Sequence, residues 1–399
     1  MVESIPRNAK GDPIVGKKQL AGLFTCSLLI WTYGNGLVPL LPVYAKKLGA
    51  ESDAVGYYMS LVYISIALST VTAGWLSDKF QNRKTLLFWV GVMVIPATLL
   101  LSQLPSFNAL VVLTAFIWFL GGMGLTLTSI LAGMFSESSE RGKVFGLLAL
   151  TSALGTLLGG LITGPLADCY GYQTMFAVLG IGMILLPLTA LVLEDKPVAR
   201  PSGESIKGKG PNLASSLFLL LVASILSRGV LFSALFGTSL LMLGLGFPST
   251  AISGTNALAA AITVPLPLLI GWLSDRLGRK RFLGAFYVLG AIGALLLPSS
   301  LSLWHFWLVM ALMQAMSCVS NSVGSAMVAD LVPKESLGRG MSLFGSTTWL
   351  GGIIGFSCTG YSIQHFGKES TFFVAACLAS IAMIVLVPIR RTRLQAESA

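Results

Sequence analysis

The residues with the greatest chemical capacity in this 399-residue sequence are few, and most lie in or beside long apolar runs. Asp78 and Asp275 each close the string Gly-Trp-Leu-Ser-Asp, at residues 74–78 and 271–275, and a cluster of cations follows each copy. A carboxylate so placed can pair with a nearby arginine or with the positive N-terminus of a neighbouring helix. Arg228 stands in the middle of an apolar stretch, near Ser224 and Ser227. In a membrane an arginine there costs at least ~2.5 kcal/mol, so it should face a protein interior and find a partner. That partner is either an anionic group on a small ligand or a set of helix carbonyls and water. Gln314, Ser317 and Asn321 recur at i, i+3 and i+7, on one helix face. Asn35, between Gly34 and Gly36, and Asn256 add isolated amides within apolar runs. This inventory suits hydrogen bonding and ion pairing rather than bond making.

Catalytic chemistry has no foothold. All sixteen acids, and both histidines (His305 and His365), fall at the ends of apolar runs or between them. Asp168 reads as a solvated acid at one such end, and it is the one candidate titrating group. There is no phosphate-binding Gly-x-x-x-x-Gly-Lys-Ser/Thr, no metal-ligand cluster and no nucleophile–base pair, so neither an enzyme nor a cofactor is expected. Cys26, Cys169, Cys318, Cys358 and Cys377 are scattered and read as small packing residues.

The elements that must position these residues follow from composition. Hydrophobic residues make up 54% of the chain and charged residues 11%, against roughly 25% charged in soluble domains. Such a chain suits a lipid bilayer. Runs of about 20 apolar residues, each long enough to span the hydrocarbon core, begin near residues 19, 54, 85, 108, 144, 172, 213, 251, 282, 304, 340 and 370. The spacing predicts an all-α membrane protein with twelve transmembrane helices in two pseudo-symmetric six-helix bundles. Residues 1–193 and 212–399 form the halves, and the Pro-, Gly- and charge-rich segment 194–211 links them. With a cytoplasmic N-terminus, every Lys and Arg of the 26 except Lys46, Lys47, Lys368 and Arg228 falls on the inner side. This is the positive-inside pattern, which places both termini in the cytoplasm. The net charge of +10 therefore reflects topology, and no nucleic-acid partner is expected.

The halves are related by repetition. The two Gly-Trp-Leu-Ser-Asp strings are 197 residues apart, as are Leu48-Gly49 and Leu245-Gly246. Arg141-Gly142 answers Arg339-Gly340, while Gly155, Gly159, Gly164, Gly171 and Phe176 answer Gly351, Gly355, Gly360, Gly367 and Phe372 at an offset of 196. Two parallel halves of common origin follow.

Residues 271–281 resemble the Gly-x-Leu-x-Asp-Arg-x-Gly-Arg-Arg/Lys hallmark of the major facilitator superfamily. Residues 74–84 form a second copy, with Gln81 in place of glycine and Asn82 in place of a basic residue. Pro39-Leu-Leu-Pro42 is similar to the Pro-x-x-Pro of the drug:proton antiporter branch, and Gly146, Gly155, Gly159 and Gly164 follow part of that branch's helix-5 pattern. Gly160 stands where that pattern has proline, and residues 115–125 lack the branch's helix-4 arginine. The resemblance implies a secondary transporter in which one half rocks against the other around a midplane site. It implies gating by Asp78, with Arg83 or Arg141 as partner, and by Asp275 and Arg339 in the second half. It further implies that Asn35, Arg228, Gln314 and Asn321 face the substrate path, with Gly155 and Gly159 as a pliable helix contact; Asn256, as a polar residue within an apolar run, is a further candidate for the substrate cavity. The expected activity is export of small apolar or amphipathic compounds across the plasma (inner) membrane by a monomer. An organic-anion or metabolite transporter using Arg228 as charge partner is the alternative.

Overall fold

The computed structural model describes residues 16–136, 141–195, 215–332 and 336–389, which are helical almost throughout, with no strand among them. The first helices are α1 (Lys17–Leu37), α2 (Leu41–Lys47), α3 (Ser52–Phe80), α4 (Arg83–Gln103), α5 (Phe107–Phe135), α6 (Arg141–Gly182) and α7 (Leu185–Val192). They are followed by α8 (Ser215–Gly244), α9 (Ser249–Thr263), α10 (Leu266–Leu277), α11 (Arg279–Leu296), α12 (Leu303–Leu331) and α13 (Leu337–Leu386). Eight helical stretches among the described residues are long and apolar enough to cross a membrane. The α1–α2 pair makes a ninth if its 42° bend lies within one span. That bend falls at Pro39, which has no amide proton to donate, and Pro42 stands at the start of α2 where the missing donor does no harm.

The backbone carries the duplication seen in the sequence. Among the described residues six have left-handed φ, and they form three pairs: Gly49 (88°) with Gly246 (79°), Gly171 (82°) with Gly367 (79°), and Gln81 (49°) with Gly278 (86°). Gly171 and Gly367 break α6 and α13 into two arms each. Five of the six positions are glycine because a Cβ is crowded by the neighbouring carbonyl there. Gln81 is the exception. Gln81→Gly is therefore expected to stabilise the protein by about 0.5–1 kcal/mol, the relief of left-handed strain less the extra unfolded-state entropy of glycine. A fall in the apparent Tm of the purified variant would contradict this.

Two compact units are present. Unit 1 comprises Met1–Gly49, Ile64–Arg200 and Pro248–Ala257; unit 2 comprises Ala50–Tyr63, Pro201–Phe247 and Leu258–Ala399. Each thus takes one short segment from the chain's other half. Residues 196–211 of the expected linker lie outside the described residues. In unit 1 the most extensive packing joins α1 to α6, with α4, α5 and α7 around them; in unit 2 it joins α8 to α13, with α11 and α12. Phe176 and Phe372, partners in the repeat, are both fully buried in their own units. Large apolar side chains such as Val71, Trp75, Val112, Leu161 and Phe373 are exposed. A hydrocarbon solvent accepts such a surface and water does not.

Candidate transport and gating residues

The repeated glycines let two helices meet backbone to backbone. In unit 1 a Cβ added at Gly155 would lie 2.6 Å from Trp31 Cβ, and one at Gly36 would lie 2.7 Å from Gly159 Cα. In unit 2 a Cβ at Gly351 would lie 2.5 Å from Arg228 Cβ, and one at Gly355 would lie 2.6 Å from the Gly229 carbonyl oxygen. Such distances are far inside van der Waals contact, so any side chain at these positions forces the two backbones apart. The close approach also shortens side-chain reach. Asn35 donates from Nδ2 to Thr156 Oγ1 at 2.7 Å, Ser27 and Thr151 share a hydroxyl bond of 2.7 Å, and Thr163 donates to the Gly36 carbonyl at 2.9 Å. Thr359 donates to Ser233 Oγ at 2.7 Å at the corresponding place in unit 2.

Arg228 lies opposite Gly351 and is only 4% exposed. Its Nη2 donates to Asn321 Oδ1 on α12, and its guanidinium carbon sits 5.8 Å from the Phe344 ring centre. The structure therefore joins two residues that sequence spacing names separately. Gln314 is half-buried and Asn321 exposed on α12. Asn256, on α9, is buried in unit 1.

Arg83 forms a different pair from the one anticipated. Arg83, 6% exposed, donates from Nε to Ser77 Oγ at 2.9 Å. Its Nη1 lies 3.8 Å from Asp195 Oδ1, an ion pair too long to be a hydrogen bond. Asp195 also accepts from the Lys84 amide at 2.9 Å, at the N-terminus of α4. Asp78 is exposed and forms no ion pair among the described residues. The partner of Arg83 is thus Asp195 rather than Asp78, because α7 returns its end to the start of α4. In unit 2, Lys280 at the position equivalent to Arg83 donates to the carbonyls of Val387 and Ile389. Arg279 pairs with Asp330 at 2.6 Å. Unit 1 has no counterpart of that pair, since Asn82 and Gly133 occupy the matching positions; Asn82 instead caps α4 by accepting from the Thr85 amide. The side chains of Arg141 and Asp275 lie outside the described residues. Arg339 is exposed near the start of α13.

One site that the sequence reading undervalues is Asp168. Although exposed, it is not a solvated loop acid. Its carboxylate accepts from the Ser249 amide at 2.9 Å, the Thr250 amide at 2.7 Å and the Thr250 hydroxyl at 2.7 Å, and so caps the N-terminus of α9. Tyr172 reinforces the contact through a 2.9 Å hydroxyl bond to Ser249. Gln364, one repeat later, holds α3 in the same way, accepting from the Ser52 amide at 3.2 Å. Below each cap a serine ties the helices further: Ser253 donates to the Gly160 carbonyl and Ser60 to the Ile353 carbonyl, both at 2.7 Å.

Duplicated helical units with glycine seams, a buried cation without a counter-charge and an apolar exterior define a multi-pass membrane protein without a catalytic constellation among its described residues. The Major Facilitator Superfamily profile matches residues 23–268 and 217–399, and the chain belongs to that family. It is accordingly a secondary transporter and not an enzyme. Among curated relatives, the multi-drug resistance efflux pump PmrA of Streptococcus pneumoniae serotype 4 is 24% identical, over 89% of this chain and 92% of its own. The multidrug resistance protein MdtG of Enterobacter lignolyticus is 25% identical over 95% and 94% respectively. Among solved structures, a peptide transporter POT in complex with sulfate matches with TM-score 0.73 and 16% identity, covering 97% of this chain and 96% of that one. The nucleoside transporter NupG matches with TM-score 0.76 and 16% identity over 93% and 98%. These two likenesses establish the fold alone.

Proposed function

We propose that this protein exports small apolar or amphipathic compounds across the cytoplasmic membrane by alternating access, as a monomer. The observation that supports it most is the chain-long likeness to relatives named for multidrug efflux. In this reading there are twelve passes in two six-helix halves, 1–193 and 212–399. To the nine candidate spans are added the second arms of α6 and α13, because about 50 residues at 1.5 Å each far exceed a ~30 Å core. The broken pair α9–α10, 15 and 12 residues long, makes the last pass. The cation distribution puts both termini and the linker in the cytoplasm.

Asn35, Arg228, Asn256, Gln314 and Asn321 then serve substrate, and Asp78, Arg83, Arg141, Asp275 and Arg339 serve the cytoplasmic gate. The Arg83–Asp195 pair anchors that gate's first half. Gly155 and Gly159 supply the pliable seam. The reading is tested with protein reconstituted in proteoliposomes and a panel of fluorescent lipophilic dyes, with and without an imposed pH gradient. Protein-dependent dye movement is expected. If no dye moves under either condition, the exporter reading fails. If flux ignores the gradient, proton antiport fails while export stands.

A further inference from the structure

Seven buried side-chain polar atoms have no hydrogen-bond partner among the described residues, and three belong to one cluster in unit 2: Arg228 Nε, Tyr287 Oη and Ser320 Oγ. Tyr287 is fully buried, Ser320 2% exposed and Arg228 4% exposed. Tyr287 Oη is within hydrogen-bonding reach of the Ser227, Ser320 and Ser224 hydroxyls, although no bond of normal geometry is formed, and within electrostatic reach of Arg228. The three groups come from α8, α11 and α12, so their convergence is a product of tertiary packing. All three carry a proton to donate; the neighbouring Ser227 hydroxyl donates to the Ser224 carbonyl and keeps only its acceptor capacity towards Tyr287. The Asn321 oxygen takes Nη2, the Phe344 ring lies 5.8 Å from the guanidinium carbon, and Gly351 packs on Arg228 Cβ. No carboxylate among the described residues pairs with Arg228.

A buried guanidinium without a counter-charge, flanked by two unpaired hydroxyl donors, is complementary to a small monovalent anion. We infer that Arg228, Tyr287 and Ser320 form an anion site that takes a halide ion or a carboxylate group. The planar guanidinium supplies charge and a directed N–H, and the two hydroxyls complete a three-donor cradle of one polarity. The site also bears on selectivity. An unoccupied cation repels positively charged compounds, and an occupied one does not. This inference concerns binding and stands independently of the direction or range of transport.

The test uses the purified full chain in a neutral detergent, with the bulky sulfonate HEPES as balancing anion at constant ionic strength. Chloride, bromide and benzoate are titrated while thermal unfolding is followed. A saturable rise in apparent Tm is expected for the wild-type protein, with no rise in Arg228→Gln. Tyr287→Phe and Ser320→Ala each remove one donor and keep the charge, so each should weaken apparent affinity by about three- to tenfold, and both together by more. These two variants carry the test if Arg228→Gln does not fold. Saturation by chloride but not benzoate identifies an inorganic ion; tighter binding of benzoate, competitive with chloride, identifies the carboxylate of an organic compound. Absence of any saturable anion effect, or an effect of equal size in the Tyr287→Phe/Ser320→Ala double variant, overturns the site. Dye transport by the wild-type protein in proteoliposomes is a separate readout, so loss of the anion site and loss of the exporter reading are told apart.

Discussion

Gly159→Ala is expected to destabilise the protein by about 1–3 kcal/mol, the range for overpacking a close-packed contact, and Gly159→Val is expected to prevent recovery of folded protein. The reason is the nature of the atoms met. A Cβ at residue 159 would fall 2.7 Å from Gly36 Cα and 2.9 Å from Gly36 N. Backbone of α1 cannot swing aside as a side-chain tip would. The control lies in the same helix: a Cβ added at Gly146 meets nothing within 4 Å, so Gly146→Ala should be neutral or slightly stabilising through helix propensity. Gly355→Ala should repeat the loss in unit 2, where the Gly229 carbonyl oxygen stands 2.6 Å away. Size-exclusion yield and apparent Tm in detergent are the measurements. If Gly159→Ala melts with the wild type, the seam is looser than its geometry indicates.

These seams are legible in the sequence because duplication repeats them. A glycine that recurs at an offset of 196 or 197 marks a backbone need that arose before the halves diverged. Thus Gly49/Gly246 and Gly171/Gly367 coincide with left-handed positions, and Gln81 opposite Gly278 with the strained one. Pairings between distant elements are less legible. Asp195 stands 112 residues from Arg83, and nothing local to either says that α7 ends beside the start of α4. Asp330 is similar: an acid at the end of an apolar run, whose partner Arg279 lies 51 residues earlier. Helical spacing puts the amide of Asn321 on a face with Gln314, yet its bond to Arg228 depends on how α8 and α12 pack. The cap at Asp168 does leave a signal in the sequence. Asp168 and Gln364 share the offset of 196, and two polar acceptors at equivalent positions differ in kind from one stray acid.

That equivalence leads to the second large expected effect. Asp168→Ala should destabilise unit 1 by about 1–2 kcal/mol, the upper part of the range for loss of a helix N-cap. The exposure of the carboxylate argues against a larger figure. Gln364→Ala should cost less, since one neutral bond of 3.2 Å is lost rather than three bonds to a charged acceptor. Asp168→Asn should fall between, keeping an acceptor and losing the charge that complements the α9 dipole. Hydrogen exchange at the Ser249 and Thr250 amides reads the contact directly, because these two donors have no intrahelical partner to fall back on. Exchange there should accelerate in Asp168→Ala and remain unchanged in Gln364→Ala, while the Ser52 amide shows the reverse. In the proposed topology both caps lie on the outer side, so their inequality makes α9 the more firmly held of the two helices. Equal exchange at Ser249 in the wild type and Asp168→Ala would show that the carboxylate merely lies near α9 without holding it.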